Sequence, residues 1–174
     1  MLDSLGNPIT TTTNANGFYQ FTNLIPGVYE VQFVTPSGYA IIAPDAGTND
    51  AIDSDPNITT GVTAPVTLIS GQNNPTIDAG MYIPATIGDT VFVETNVNGI
   101  QEAGEAGIAG VVVKLLNAAG NPVLDGSGNP ITTTTNANGF YQFTGLVPGT
   151  YAVQFELPAG YYYSPQNVGT NDSL

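Results

Sequence analysis

The sequence predicts an all-β sandwich, and three observations carry that expectation. The residue pool, with 21 Gly, 13 Pro and many Thr, Asn and Val, suits short strands joined by tight turns. Apolar and polar residues alternate: Tyr141, Phe143, Tyr151, Val153 and Phe155 fall on one face, Gln142, Ala152 and Gln154 on the other. No stretch carries a sustained 3.6-residue apolar stripe. A hydrophobic content of 41% is enough for a packed core.

A repeat sets the order of the elements. Residues 2–52 align without a gap to residues 124–174 at a constant offset of 122, with 33 identities in 51 pairs. The seventeen residues 6–22 recur unchanged as 128–144. Strands are expected at 87–94, 109–116, 130–135, 139–144, 150–157 and 160–164, with equivalents in the first copy. Segments 65–70 and 75–83 would close the fold. Asn136-Ala137-Asn138-Gly139 and Pro148-Gly149 supply turns. Pro84-Ala85-Thr86 reads as a short linker. Residues 1–85 then read as the C-terminal portion of one 122-residue repeat, and residues 86–174 as the N-terminal portion of the next. Half-sandwiches leave open sheet edges, which strands from adjacent molecules could complete.

The absences narrow the function. The chain has no Cys, no His and a single basic residue, Lys114, against 14 acidic ones, for a net charge of −13. No thiol or imidazole nucleophile, Ser-His-Asp triad or His/Cys zinc site is available. Nucleic acids and anionic membrane surfaces would be repelled. No apolar run is long enough to span a bilayer. What remains is oxygen-ligand chemistry for hard cations.

Residues 94–105 carry that chemistry. Glu94, Asn96, Asn98, Glu102 and Glu105 occupy positions 1, 3, 5, 9 and 12 of a twelve-residue calcium loop, with Gly99 at position 6 and the Ile100 carbonyl at position 7. Side chains at positions 1, 3 and 5 converge as the chain curls, and Glu105 reaches back to close the ring. Glu94 stands where Asp is usual, and its extra methylene weakens the expected affinity. Three carboxylates crowded together are costly without a cation. The bland alternative is a solvated acidic turn.

A second cluster, Asp45, Asn49, Asp50, Asp53 and Asp55, is a candidate for further calcium, although its spacing matches no standard loop. Asp125-Gly126-Ser127-Gly128-Asn129 reads as a hairpin turn, since Pro130 takes the place of the turn glycine. Asp78 and Asp89 sit in strands with no distinguishable role. Tyr161, the counterpart of Tyr39, is expected in the core, and Tyr162 or Tyr163 at the surface.

Several of these motifs occur together in one known family. They are Ile87-Gly88-Asp89, Val91-Phe92, the Asn-x-Asn-Gly-Ile-Gln loop, Gly104-Glu105-Ala106-Gly107-Ile108, Gly139-x-Tyr141-x-Phe143 and Leu146-x-Pro148-Gly149-x-Tyr151. With Pro158-x-Gly160-Tyr161, Asp53-Ser54-Asp55 and Thr76-Ile77-Asp78-Ala79-Gly80, they resemble the SdrD B-like domain. This is the B-type repeat of serine-aspartate surface adhesins, within the Cna-B-like superfamily. The resemblance implies prealbumin-like β-sandwich modules in a tandem extracellular array, stiffened by calcium and used as a stalk. It implies Glu94, Asn96, Asn98, Ile100, Glu102 and Glu105 as main calcium ligands, and Asp50, Asp53 and Asp55 in secondary sites. Relatives of the wider superfamily often carry a Lys–Asn isopeptide bond. Lys114 alternates opposite to Val111, Val113 and Leu115, so it is expected in solvent and outside such a bond.

The leading expectation is therefore a structural repeat of a cell-surface stalk, adhesin or fibre, contacting adjacent repeats. A ligand-binding module using the exposed tyrosines is the alternative. Catalysis would need paired carboxylates across a sugar-sized cleft, and the acids here cluster in metal-type loops instead.

Overall fold

The computed structural model describes residues 8–45, 49 and 51–165. Every regular element among them is a strand, and every strand pairing is antiparallel. The chain divides into two compact units, Met1–Ile83 and Pro84–Leu174.

The second unit is the more regular. It contains β5 (Ala85–Thr90), β6 (Val112–Asn117), β7 (Thr132–Thr134), β8 (Phe140–Leu146) and β9 (Tyr151–Phe155). β5 pairs with β8, and β6 lies between β7 and β9. These two sheets sandwich Val113 and Leu115 of β6 against Tyr141, Phe143 and Leu146 of β8. Ile87, Val91, Tyr151, Val153 and Phe155 pack around that cluster. The period-2 alternation therefore selects the buried face, because successive Cβ atoms leave a strand on opposite sides. Lys114 emerges on the other face, its Nζ 2.7 Å from Glu156 Oε1. So exposed a pair contributes at most about 1 kcal/mol.

Local chemistry fixes the turns. Asn136 Oδ1 accepts the N–H groups of Asn138 and Phe140 at 2.9 and 3.1 Å, an Asx turn that leads from β7 into β8. The Tyr151 hydroxyl donates to the Val147 carbonyl at 2.7 Å, tying the β8–β9 corner. The 125–129 segment is the expected hairpin turn, with Asp125 Oδ1 accepting from Ser127 and Asn129.

The first unit contains β1 (Gly27–Tyr29), β2 (Ala40–Ile41), β3 (Val66–Leu68) and β4 (Met81–Tyr82). β1 pairs with β3 and β2 with β4. Its elements are shorter than the sequence implies. Expected strands 65–70 and 75–83 shrink to β3 and β4. The 17–22 counterpart of β8 is not a strand at all, although its sequence is identical. Strand character requires a ladder partner: β8 has β5, and no strand pairs with 17–22 among the described residues.

Two further expectations need correction. Segment 160–164 forms no strand. Tyr161, expected in the core, is 40% exposed, and Tyr162 and Tyr163 are 92% and 67% exposed. The main chain at 161–164 has no ladder to hold alternate rings inward.

Candidate metal centre

β5 ends where the chain changes partners. Beyond Thr90, Val91 still donates to the Gly139 carbonyl, but its own carbonyl accepts from Ile108. Phe92 then bridges Gly107, and Val93 N–H donates to the Ala106 carbonyl at 2.8 Å. The candidate loop 94–105 is thus the connection of a hairpin whose ends are pinned at 93 and 106. Gly107 allows this close approach: a Cβ there would lie 2.0 Å from the Asn138 carbonyl oxygen.

Inside the loop, the carboxylates are tied to amides. Glu94 accepts from Gly99 N–H at 3.0 Å and, more weakly, from Asn98 N–H at 3.4 Å. Glu105 Oε1 accepts from the Thr95 N–H and hydroxyl at 2.9 and 3.1 Å, while Oε2 accepts from Glu102 N–H at 3.0 Å. Glu102 receives the side-chain amides of Asn96 and Asn98 at 2.8 and 3.1 Å. Asn96 Oδ1 and Asn98 Oδ1 accept from the N–H groups of Asn98 and Ile100. Gly99 takes the left-handed conformation (φ 80°) that the curl demands, as does Val97 (φ 58°).

The donor set suits a hard cation: carboxylate, amide and carbonyl oxygens only. In this arrangement N–H and NH2 groups offset the charge of the three carboxylates. Among the described residues, no three acidic side chains gather closely enough to share an ion. Residues that would hold calcium are Glu94, Asn96, Asn98, Ile100 through its carbonyl, Glu102 and Glu105. The Asn96 and Asn98 amides would have to turn from donating to Glu102 to presenting oxygen.

The Thr95 N–H, then the Glu102 N–H, hold the Glu105 carboxyl below its ordinary value of 4.5. A carboxylate lowered by folding stabilises the closed loop above its unfolded pKa, and that contribution disappears as pH falls through the lowered value. The Thr95 amide resonance is therefore expected to titrate with a midpoint below 4.5, and Glu105→Gln should abolish that step. A midpoint at or above 4.5 contradicts the assignment.

The second cluster is drawn together only in part. Asp45 is exposed with φ 55°, and its N–H donates to the Ser54 carbonyl. Asn49 Oδ1 accepts from Ala51 N–H at 3.3 Å. Asp53 and Asp55 are half-buried. Asp50 lies outside the described residues, as do Asn167, Asn171 and Asp172. Asp55 turns toward a residue the sequence left unassigned, its Oδ2 accepting from Asp78 N–H at 2.7 Å. The Asp55 N–H returns a bond to the Asp78 carbonyl. Tyr19 lies beside this pair and donates to the Ile77 carbonyl. Burial, then the charges of Asp55 and Asp78, push its phenol up to about 12. Twenty-three residues separate Asp55 from Asp78, so no local motif could reveal the pairing.

A groove of about 410 Å³ runs beside Glu94 and Val97 toward Tyr161, Tyr162 and Tyr163. No helix among the described residues is long and apolar enough to cross a membrane.

Comparison with known proteins places this architecture. The model of the SdrD B-like domain matches residues 2–81 and again 85–174, so the chain belongs to the SdrD B-like domain family. It is 46% identical over 160 residues to serine-aspartate repeat-containing protein D of Staphylococcus aureus strain Newman, covering 91% of this chain and 11% of that protein. It is 41% identical over 168 residues to serine-aspartate repeat-containing protein F of Staphylococcus epidermidis, covering 96% of this chain and 9% of that protein. The chain thus spans about a tenth of the length of these relatives.

Proposed function

We propose that this chain is a calcium-stabilised structural repeat, a rigid spacer in an extracellular, cell-surface stalk or adhesin, with adjacent repeats as its partners. The observation that supports it most is the pinned 94–105 hairpin, which collects six oxygen donors in one short loop. Bound calcium would supply the positive charge that amide hydrogens now provide. Glu94 and Glu105, at opposite ends of the loop, would then be joined through one centre, and the hairpin could no longer open without releasing the ion. The 45–55 segment adds a secondary calcium position in this reading, supported by its crowding of Asp45, Asp50, Asp53 and Asp55. Only Ile83 and Pro84 separate β4 from β5. Family membership and identity to two staphylococcal serine-aspartate repeat proteins support the stalk role and surface location. No feature of the site calls for catalysis.

Ligand binding to the folded state alone raises stability by about 2.7 kcal/mol at a hundredfold excess over Kd. The full chain melted with excess calcium should therefore lose its second unit roughly 10 °C or more above the chelated chain. Glu94→Gln with Glu105→Gln should erase most of that difference. A melting curve indifferent to chelator overturns the proposal.

A second reading rests on the groove beside Tyr162, the most exposed aromatic. If this face binds a surface ligand, Tyr162→Ala and Tyr163→Ala abolish saturable binding while leaving the calcium-dependent melt unchanged.

A further inference from the structure

Three Asn-Gly pairs occur in the chain: Asn16-Gly17, Asn98-Gly99 and Asn138-Gly139. A glycine after asparagine leaves its backbone nitrogen open to the asparagine's own side chain, because no Cβ shields it. The first and third pairs sit in the same nine residues, 14–22 repeated as 136–144, and share one geometry. Their glycine N–H groups donate to the Asn14 and Asn136 carbonyls, each at 2.9 Å. The N–H groups that follow, of Phe18 and Phe140, are taken by the side-chain oxygens of Asn14 and Asn136.

Asn98-Gly99 is set differently. Gly99 N–H donates to Glu94 Oε2 at 3.0 Å, so a carboxylate rather than a carbonyl faces its proton. Ile100 N–H donates to Asn98 Oδ1 at 2.7 Å. The ring closed by that bond contains the Gly99 nitrogen, so the Asn98 side chain folds forward over the 98–99 peptide. Asn98 Nδ2 donates to Glu102 Oε1 at 3.1 Å, which fixes the other end of the amide. Both residues of the pair are half-buried, within reach of water. A base and an oxyanion donor thus flank one asparagine side chain, an arrangement the other two pairs lack.

We propose that Asn98 is a self-modification site, at which the loop converts its own asparagine to aspartate and isoaspartate through a cyclic imide. The Gly99 nitrogen attacks Asn98 Cγ while its proton passes to Glu94 Oε2. A C–N bond forms, and the carbonyl electron pair moves onto Oδ1, where the Ile100 N–H stabilises the charge. The oxyanion then collapses and the Cγ–Nδ2 bond breaks. Nδ2 leaves as ammonia, carrying the proton that Glu94 returns. Water opens the imide at either carbonyl and gives the aspartyl or isoaspartyl residue. The balance is amide plus water to carboxylic acid plus ammonia, with no oxidant, cofactor or metal ion. Conversion adds a negative charge beside Glu94, Glu102 and Glu105, and the isoaspartyl product also lengthens the main chain at the turn.

The test incubates the full 174-residue chain with chelator, in native buffer and in concentrated urea. Peptide mapping by mass spectrometry follows Asn16, Asn98 and Asn138 separately. In native buffer Asn98 should be lost at least about tenfold faster than either other asparagine, within the range a positioned base supplies. In urea the three rates should converge, because only the shared dipeptide then remains. Glu94→Gln keeps an oxygen for the Gly99 N–H but removes the base. It should slow conversion of Asn98 about tenfold or more and leave Asn16 and Asn138 unchanged. Should that variant disturb the loop, the comparison of native buffer with urea still decides. Loss at Asn98 no faster than at the other two, a lead that persists in urea, or an unchanged rate in Glu94→Gln each overturns the proposal.

Discussion

Gly139→Ala should unfold the second unit while Gly17→Ala leaves the first folded, although both glycines sit in the same nine-residue sequence. Both substitutions place an L side chain at a φ near 78°, a strain of about 1–3 kcal/mol. Only Gly139 adds a collision: its Cβ would lie 2.2 Å from the Val91 carbonyl oxygen, 2.8 Å from Gly107 Cα and 2.9 Å from Ile108 N. These are backbone atoms that cannot rotate aside. Relieving them means separating the β5 extension from β8, which forfeits the hydrogen bond from Val91 to Gly139 and opens the hairpin that pins the candidate metal loop. Overpacking of this kind costs about 1–3 kcal/mol. With the strain, the sum is about 2–6 kcal/mol, comparable to the lower range of domain stabilities. Hydrogen exchange resolved by residue checks this. Loss of protection should be confined to β5–β9 for Gly139→Ala, and equal loss in the two variants contradicts the account.

Phe143→Ala and Phe21→Ala form a second twin. Phe143 is 4% exposed, within the cluster of Val113, Leu115, Tyr141 and Leu146, and its truncation should cost about 3–5 kcal/mol. Phe21 is half-buried over an open cavity. It should cost about 1–2 kcal/mol, because part of its surface never left water. Urea unfolding followed separately through amides of each unit gives both values. Equal costs would mean that Phe21 is as well covered as Phe143.

These twins show what local sequence can and cannot encode. The alternation of Tyr141, Phe143, Tyr151, Val153 and Phe155 was legible because a strand's side-chain period is fixed by backbone geometry. The Asn136 turn was legible because its hydrogen bonds close within four residues. That 17–22 would fail to become a strand was not legible, since its sequence is that of β8 and the deciding partner lies elsewhere. The same cause moves Tyr161 from the expected core to the surface. In the candidate metal loop, oxygen spacing from Glu94 to Glu105 could be read directly. The amide bonds that tie Glu102 to Asn96 and Asn98 depend on side-chain orientation and could not. Asp78 stayed unassigned because its link to Asp55 crosses between distant segments.

The central claim is that one calcium ion seats among Glu94, Asn96, Asn98, Ile100, Glu102 and Glu105. The most direct measurement is a calcium titration of the labelled full chain, followed through the amides of Thr95, Asn98, Gly99 and Glu102, whose N–H groups now bond the loop's carboxylates and side-chain oxygens. The account predicts saturating shifts at these four positions with one stoichiometric step, lost in Glu105→Gln. Amides of 94–105 that stay in place while calcium is added in excess would contradict it.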